Sequence, residues 1–219
     1  MELDPGIVLR NLPALLDGLR ITGLAFLAAL GVGLPLGALV CAARLRGGVW
    51  GALGQGYVAV LRAIPEMVLI FWMFYVLPPL LGVRGSGLVL GSLALGLVTS
   101  AYLAEIFRAG VQSVGRGQWE GARSLGLPAR VIWTRIAIPQ AARLAIPPFV
   151  NALTELLKGT TLLATIGVAD LALKAYVLGA QTFRYMEFLT AIAVLYFIVI
   201  FPVARLAERV EHRLAAAMK

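Results

Sequence analysis

Reactive side chains are scarce in this chain: among 219 residues there is one cysteine, Cys41, and one histidine, His212. A single thiol closes no intrachain disulfide and no cysteine-based metal cluster, and neither a nucleophile paired with a base nor a convergent ligand set is present, as a membrane enzyme would need. His212 lies in a charged tail, where a solvated surface residue is expected. Lysine is also rare, at positions 158, 174 and 219, and none of the three belongs to the Gly-Lys-Ser/Thr of a phosphate-binding loop. A phosphate-binding loop of that type is therefore not expected on this chain. Charged residues make up 14% of the sequence against 60% hydrophobic, with a mean hydropathy of +0.90, which excludes an ordinary soluble domain.

What is abundant is hydrocarbon. Five stretches, approximately 21–43, 58–81, 88–107, 144–168 and 188–204, are long enough to cross about 30 Å of bilayer as helices. An odd number puts the chain ends on opposite sides and disfavours an inverted repeat of equal halves. Thirteen of the nineteen Lys and Arg side chains fall on one side of these spans, five fall on the other, and Lys158 lies inside a span. The positive-inside rule then places the N-terminus outside and the loop 108–143 and the C-terminus in the cytoplasm. Topology thus accounts for the net charge of +8, and no recognised nucleic-acid module accompanies it. Residues 1–20 form an amphipathic segment suited to the outer interface, and residues 205–219 alternate charge as a helix leaving the membrane does. No cleavable leader is apparent, so the first span is expected to serve as an uncleaved insertion signal. Gly33 and Gly37 in that span have the GxxxG spacing with Pro35 between them, which predicts close helix packing and a local kink.

The loop 108–143 carries the most specific pattern. Counting from Glu120, Gly126 falls at the seventh place, Ile136 at the seventeenth and Pro139 at the twentieth. Residues 116–125 suit a short helix, Gly126 a left-handed ending and Pro128 the start of the next helix, so the loop predicts an elbow projecting from the membrane. The spacing resembles the EAA signature of permease subunits of ATP-driven importers, with Gly121 in place of the usual first alanine and Ile138 in place of the usual leucine. The resemblance implies that Glu120, Gly121, Ala122, Leu125 and Gly126 couple to a separate ATPase, whose closure on ATP is transmitted as rigid-body motion.

Three further stretches resemble the polar-amino-acid group of these permeases, which handles histidine, glutamate, glutamine, arginine and opines. In Leu61-Arg62-Ala-Ile-Pro65-Glu66, Arg62 and Glu66 are read as one helical turn apart, with Pro65 bending the span; Arg62 has two readings, interface anchor and gating residue. In Thr99-Ser-Ala-Tyr102-Leu-Ala-Glu105-Ile-Phe-Arg108-Ala-Gly110, Glu105 and Arg108 have the spacing of a local ion pair. The third, Leu157-Lys158-Gly159-Thr160-Thr161-Leu162 followed by Ile166-Gly167-Val168, has glycine at 159 where the group usually has aspartate.

The fourth span is the most polar. Asn151, Glu155 and Lys158 follow an i, i+4, i+7 progression on one face, and Gly159, Thr160 and Thr161 permit a local break in the helix. A charge at the centre of a span costs roughly 2.5–3.5 kcal/mol, so Glu155 and Lys158 must face protein or water. Two readings stay open: a translocation surface, or a buried ion pair that fixes helix packing. Arg62, Glu66, Tyr102, Asn151, Glu155, Lys158, Thr160 and Thr161 are the candidate substrate-pathway residues. There, Glu155 would meet an ammonium, and Lys158 or a broken-helix N-terminus a carboxylate.

The resemblance implies an all-α integral membrane protein: one permease domain over 1–219, with five transmembrane helices and a cytoplasmic coupling-helix loop, in the type I ABC importer permease fold. It also implies the bacterial cytoplasmic (inner) membrane as its location. The implied partners are two cytoplasmic ATPase subunits, a second permease copy or a homologous permease, an extracytoplasmic substrate-binding protein and a polar amino acid. No cofactor is expected on this chain; ATP and Mg belong to the ATPase. Phe71-Trp72-x-Phe74-Tyr75 resembles acidic-amino-acid permeases, whereas Glu66 and Glu155 suit a basic substrate. The competing reading is an ATPase-independent secondary transporter or channel for a small cationic solute, with Glu66, Glu105 and Glu155 as its route.

Overall fold

The computed structural model describes residues 4–82 and 84–216, and within them the chain is helical with no strand. A short helix α1 (Pro5–Arg10) precedes the long α2 (Leu12–Arg46), and α3 (Gly48–Ala63) and α4 (Glu66–Leu81) follow. Next come α5 (Gly87–Gln112), α6 (Arg116–Ser124), α7 (Ala129–Ile166), α8 (Leu171–Thr182) and α9 (Tyr185–Ala216). Three of these have the length and hydropathy to cross a membrane, α2, α5 and α9 as far as Arg205. The count becomes five if each bent pair, α3 with α4 and α7 with α8, is taken as one span.

The structure changes two of the expected spans. Of the segment expected over 1–20, Pro5–Arg10 forms a short helix of its own and α2 has already begun at Leu12. Pro13 suits the first turn of a helix, and Gly18 does not break it. Instead, Gly18 lets α2 approach α8 so closely that a Cβ there would sit 2.9 Å from the Leu171 Cα. The second expected span, 58–81, is two helices meeting at 100°. Ile64 precedes proline and is extended (φ −84°, ψ 128°), as the clash with the proline ring requires, so α3 stops at Ala63. Arg62 and Glu66 therefore flank a corner, and the single helical face expected for them does not exist.

The glycines of α2 act as predicted, as a packing seam. Gly33 faces the Gly96 carbonyl, and a Cβ on Gly37 would lie 2.9 Å from both the Leu103 Cβ and the Ser100 carbonyl of α5. With no hydrophobic drive between helices in lipid, such close approach supplies dispersion contact directly. α2 runs through Pro35 without a break. The central α5 is the most enclosed helix, with Ala94, Leu95, Val98, Ala101 and Ala104 buried.

One carboxylate is buried at the start of α8. Asp170, fully enclosed, caps α8 by accepting the Leu173 N–H at 2.9 Å, while Thr22 on α2 accepts the Leu171 N–H at 3.1 Å. These contacts fasten the 50° corner between α7 and α8 to α2. The final helix is continuous to Ala216, but His212 and Lys219 fall outside the residues whose side chains are described.

Candidate functional site

At the corner between α3 and α4, Pro65 leads directly into Glu66, the first residue of α4. The corner brings Glu66 against α5 and α7, where a cavity of about 190 Å³ is lined by Glu66, Leu95, Thr99, Tyr102, Ala152, Glu155 and Leu156. Two carboxylates thus share one small cavity. The cations stand just outside: Lys158 Nζ lies 2.5 Å from Glu155 Oε1, and the Arg62 guanidinium sits 5.2 Å from the centroid of the Tyr102 ring, within cation–π range. Gly159 lies behind two of the lining residues, Glu66 and Leu95. A Cβ there would lie 3.4 Å from Glu66 Oε2, so an aspartate at 159 would bring a third carboxylate against Glu66.

The Glu155–Lys158 pair is not buried, since the two side chains are 73% and 52% exposed on this chain. Within this chain the pair therefore fixes no helix against another. Asn151 is exposed on the same face one turn earlier, so the stripe runs along the outside of this bundle. Thr160 does not belong to it. It is fully buried and donates to the Leu157 carbonyl at 2.7 Å, because Leu156, Thr160 and Leu163 make up the opposite, core-facing row of α7. Thr161 is half-buried, its hydroxyl donating to the Lys158 carbonyl at 2.7 Å.

Five of the predicted pathway residues therefore converge: Arg62, Glu66, Tyr102, Glu155 and Lys158. Asn151 extends their line, and Thr160 turns away. Sequence reasoning missed Leu95 and Thr99, which complete the α5 wall; their spacing from Tyr102, at i−7 and i−3, is the signal that a helical face offers. It also missed Arg44. The expected Glu105–Arg108 pair is present, and Arg44 at the end of α2 binds the other Glu105 oxygen.

The elbow forms from α6 and the start of α7. After Ser124, Gly126 adopts φ +67°, its N–H donates to the Arg123 carbonyl at 2.9 Å, and the Leu127 N–H reaches the Ala122 carbonyl at 3.2 Å. These are the paired bonds of a Schellman ending, available because glycine carries no Cβ. Glu120, Gly121 and Leu125 face outward, Leu125 at 78% exposure, while Ala122 is buried on the inner side. The Trp119 and Trp133 rings meet edge to face at 5.1 Å and hold α6 against the first turns of α7.

This fold and elbow match known proteins along nearly their full length. Residues 33–216 match the family described as binding-protein-dependent transport system inner membrane component. The arginine transport system permease protein ArtQ of Bacillus subtilis is 30% identical over 98% of each chain. The probable glutamine ABC transporter permease protein GlnM of the same organism is 33% identical over 97% of this chain and 98% of its own. The crystal structure of an amino acid ABC transporter with histidines superposes with a TM-score of 0.89 at 29% identity, covering 97% of this chain and 100% of that one. With the family matched over residues 33–216 and permease relatives aligned along almost the whole chain, the chain belongs to the inner-membrane components of binding-protein-dependent ABC transport systems.

Proposed function

We propose that the chain forms half of the pathway through which a polar amino acid is imported, and that the cavity between Glu66 and Glu155 receives the substrate's ammonium. The observation that carries this reading is the pairing of two carboxylates in one enclosed space, bordered by an exposed Glu155–Lys158 pair. A charged pair left exposed at membrane depth needs water or protein over it. A pathway shared with a second permease, identical or homologous, supplies both. As an amino acid enters, its ammonium replaces Lys158 beside Glu155, and the freed Lys158 meets the carboxylate; each charge stripped of water is thereby paired. The relatives' names, which print arginine and glutamine, and the structure with histidines support an amino-acid cargo.

The driving step belongs to the partners. Two cytoplasmic ATPases, carrying ATP and Mg, engage the outer face of α6 through Glu120, Gly121, Leu125 and the Gly126 turn, with Ala122 holding the helix from behind. The N-terminus lies outside and the C-terminus in the cytoplasm, so a loaded binding protein docks on the side opposite the elbow. ATP-driven closure then shifts the population between two helix arrangements.

Substrate competition in proteoliposomes, comparing wild type with Glu155→Gln, tests this reading. The expected result is a changed order of preference among basic, amide and acidic amino acids. An unaltered profile accompanied only by a lower melting temperature would return Glu155 to a packing role.

A further inference from the structure

At the end of the bundle that bears the elbow, an open cavity of about 400 Å³ lies between the last turns of α2 and α5 and the first turns of α3. Its polar walls are Arg44, Gln55, Arg108 and Gln112, and much of the remainder is glycine backbone at 47, 48 and 51. We propose that this cavity binds a phosphate group, presented by the headgroup of an anionic phospholipid. The site is separate from the substrate cavity, and its existence does not depend on the import reading.

Charge is the first argument. Two guanidiniums share a single carboxylate, Glu105, so the cluster keeps one net positive charge. Neither arginine is a loose surface side chain. Arg44 is only 13% exposed, and its stem lies where a side chain on Gly54 would be, since a Cβ there would meet the Arg44 Cγ at 2.8 Å. Arg108 is held by Glu105 and, at 2.5 Å, by Gln112 Oε1, while its Nε is enclosed without a partner. Using its oxygen toward Arg108 leaves the Gln112 amide free to donate. Guanidiniums fixed in this way lose little freedom when they take up phosphate oxygens.

The floor and the rim point the same way. Gly47 and Gly48 both have positive φ, +72° and +59°, and a Cβ on either would meet nothing within 4 Å, so this wall is open to the size of a phosphate. No side chain caps α3, which leaves its first N–H groups unfilled beside the arginines. Beyond the cavity, Val49, Trp50 and Leu53 are 74%, 65% and 62% exposed. An apolar rim carrying a tryptophan at a span's polar end belongs at the headgroup boundary, with acyl chains alongside. Free phosphate shares the headgroup's chemistry but has no use for that rim.

The test uses the purified chain in detergent, offered phosphatidylglycerol and phosphatidylcholine at equal concentration, with retained lipid read by native mass spectrometry. A parallel arm follows the melting temperature with inorganic phosphate. Gln55→Glu puts a carboxylate at the exposed edge of the cavity without touching the Arg44–Glu105 bond, so its folding is not in question. Wild type is expected to retain phosphatidylglycerol in preference, Gln55→Glu to lose about tenfold of that preference, Arg44→Gln to lose it and Arg44→Lys to keep most of it. If inorganic phosphate raises the wild-type melting temperature but not that of Gln55→Glu, and no lipid preference is seen, the phosphate site stands with a soluble source. Equal retention of both lipids by wild type and Gln55→Glu, with no response to phosphate, overturns the proposal.

Discussion

Gly126 sets the direction in which the elbow leaves the bundle, and the cost of replacing it follows from its backbone. At φ +67° an alanine is strained by about 1–2 kcal/mol, with no added clash because a Cβ would meet nothing within 4 Å. Gly126→Ala keeps both hydrogen bonds of the turn. Gly126→Pro cannot take positive φ and has no N–H, so the bond to the Arg123 carbonyl is lost and the Leu127 bond to Ala122 is misdirected. At about 1 kcal/mol per bond added to the conformational cost, the turn is destabilised by about 3–4 kcal/mol. With 1.4 kcal/mol per decade, alanine lowers the occupancy of the native elbow relative to alternatives by about tenfold, and proline by a few hundredfold. The assay is the ratio of ATP hydrolysed to amino acid taken up, in proteoliposomes holding matched amounts of chain, ATPase and binding protein. Alanine should raise that ratio moderately. Proline should abolish coupled uptake while the chain stays inserted, and a wild-type ratio from the proline variant would refute the elbow's role.

Other residues give equally definite expectations. Gly37→Leu drives a Cβ to within 2.9 Å of two α5 atoms and should destabilise the chain by about 1–3 kcal/mol in detergent melting, whereas Gly23→Ala, which faces open space, should leave the melting unchanged. Glu105→Gln leaves Arg44 and Arg108 without their shared counter-charge; because all three side chains are partly exposed, a loss of about 1–3 kcal/mol is expected, read as a lower melting temperature. Tyr57→Phe removes a 2.6 Å hydroxyl contact with Ser100 and should cost about 1 kcal/mol in the same assay. Gly159→Ala makes only ordinary contacts and should transport normally, whereas Gly159→Asp crowds Glu66 and should favour more cationic substrates in competition.

Much of this was legible in the sequence because it is written in local pattern. Helix α6, the Gly126 turn and the Pro128 start follow from glycine and proline chemistry, which acts within a few residues. The seam at Gly33 and Gly37 follows from spacing on one helix. The corner at Ile64-Pro65 shows in the sequence only as a bend, because hydropathy averages over a break and Pro65 alone does not set an angle. Thr160 counts among the candidate pathway residues by its neighbours in the sequence, whereas helical phase puts it with Leu156 and Leu163. Arg44 escaped because its partner, Glu105, lies far away in the chain, as does Thr22 from the Leu171 N–H that it accepts at the α8 corner. The ATPase-independent carrier was compatible with the charges alone, and the match across residues 33–216 decides against it.

The most direct measurement is ATP-driven uptake of labelled amino acids into proteoliposomes containing the chain, its ATPase and its binding protein, for wild type and the Glu66→Gln, Glu155→Gln double variant. Wild type should accumulate substrate only with ATP, and the double variant should lose accumulation while the ATPase remains bound. Uptake without ATP, or undiminished uptake by the double variant, would contradict a coupled pathway that runs between these two carboxylates.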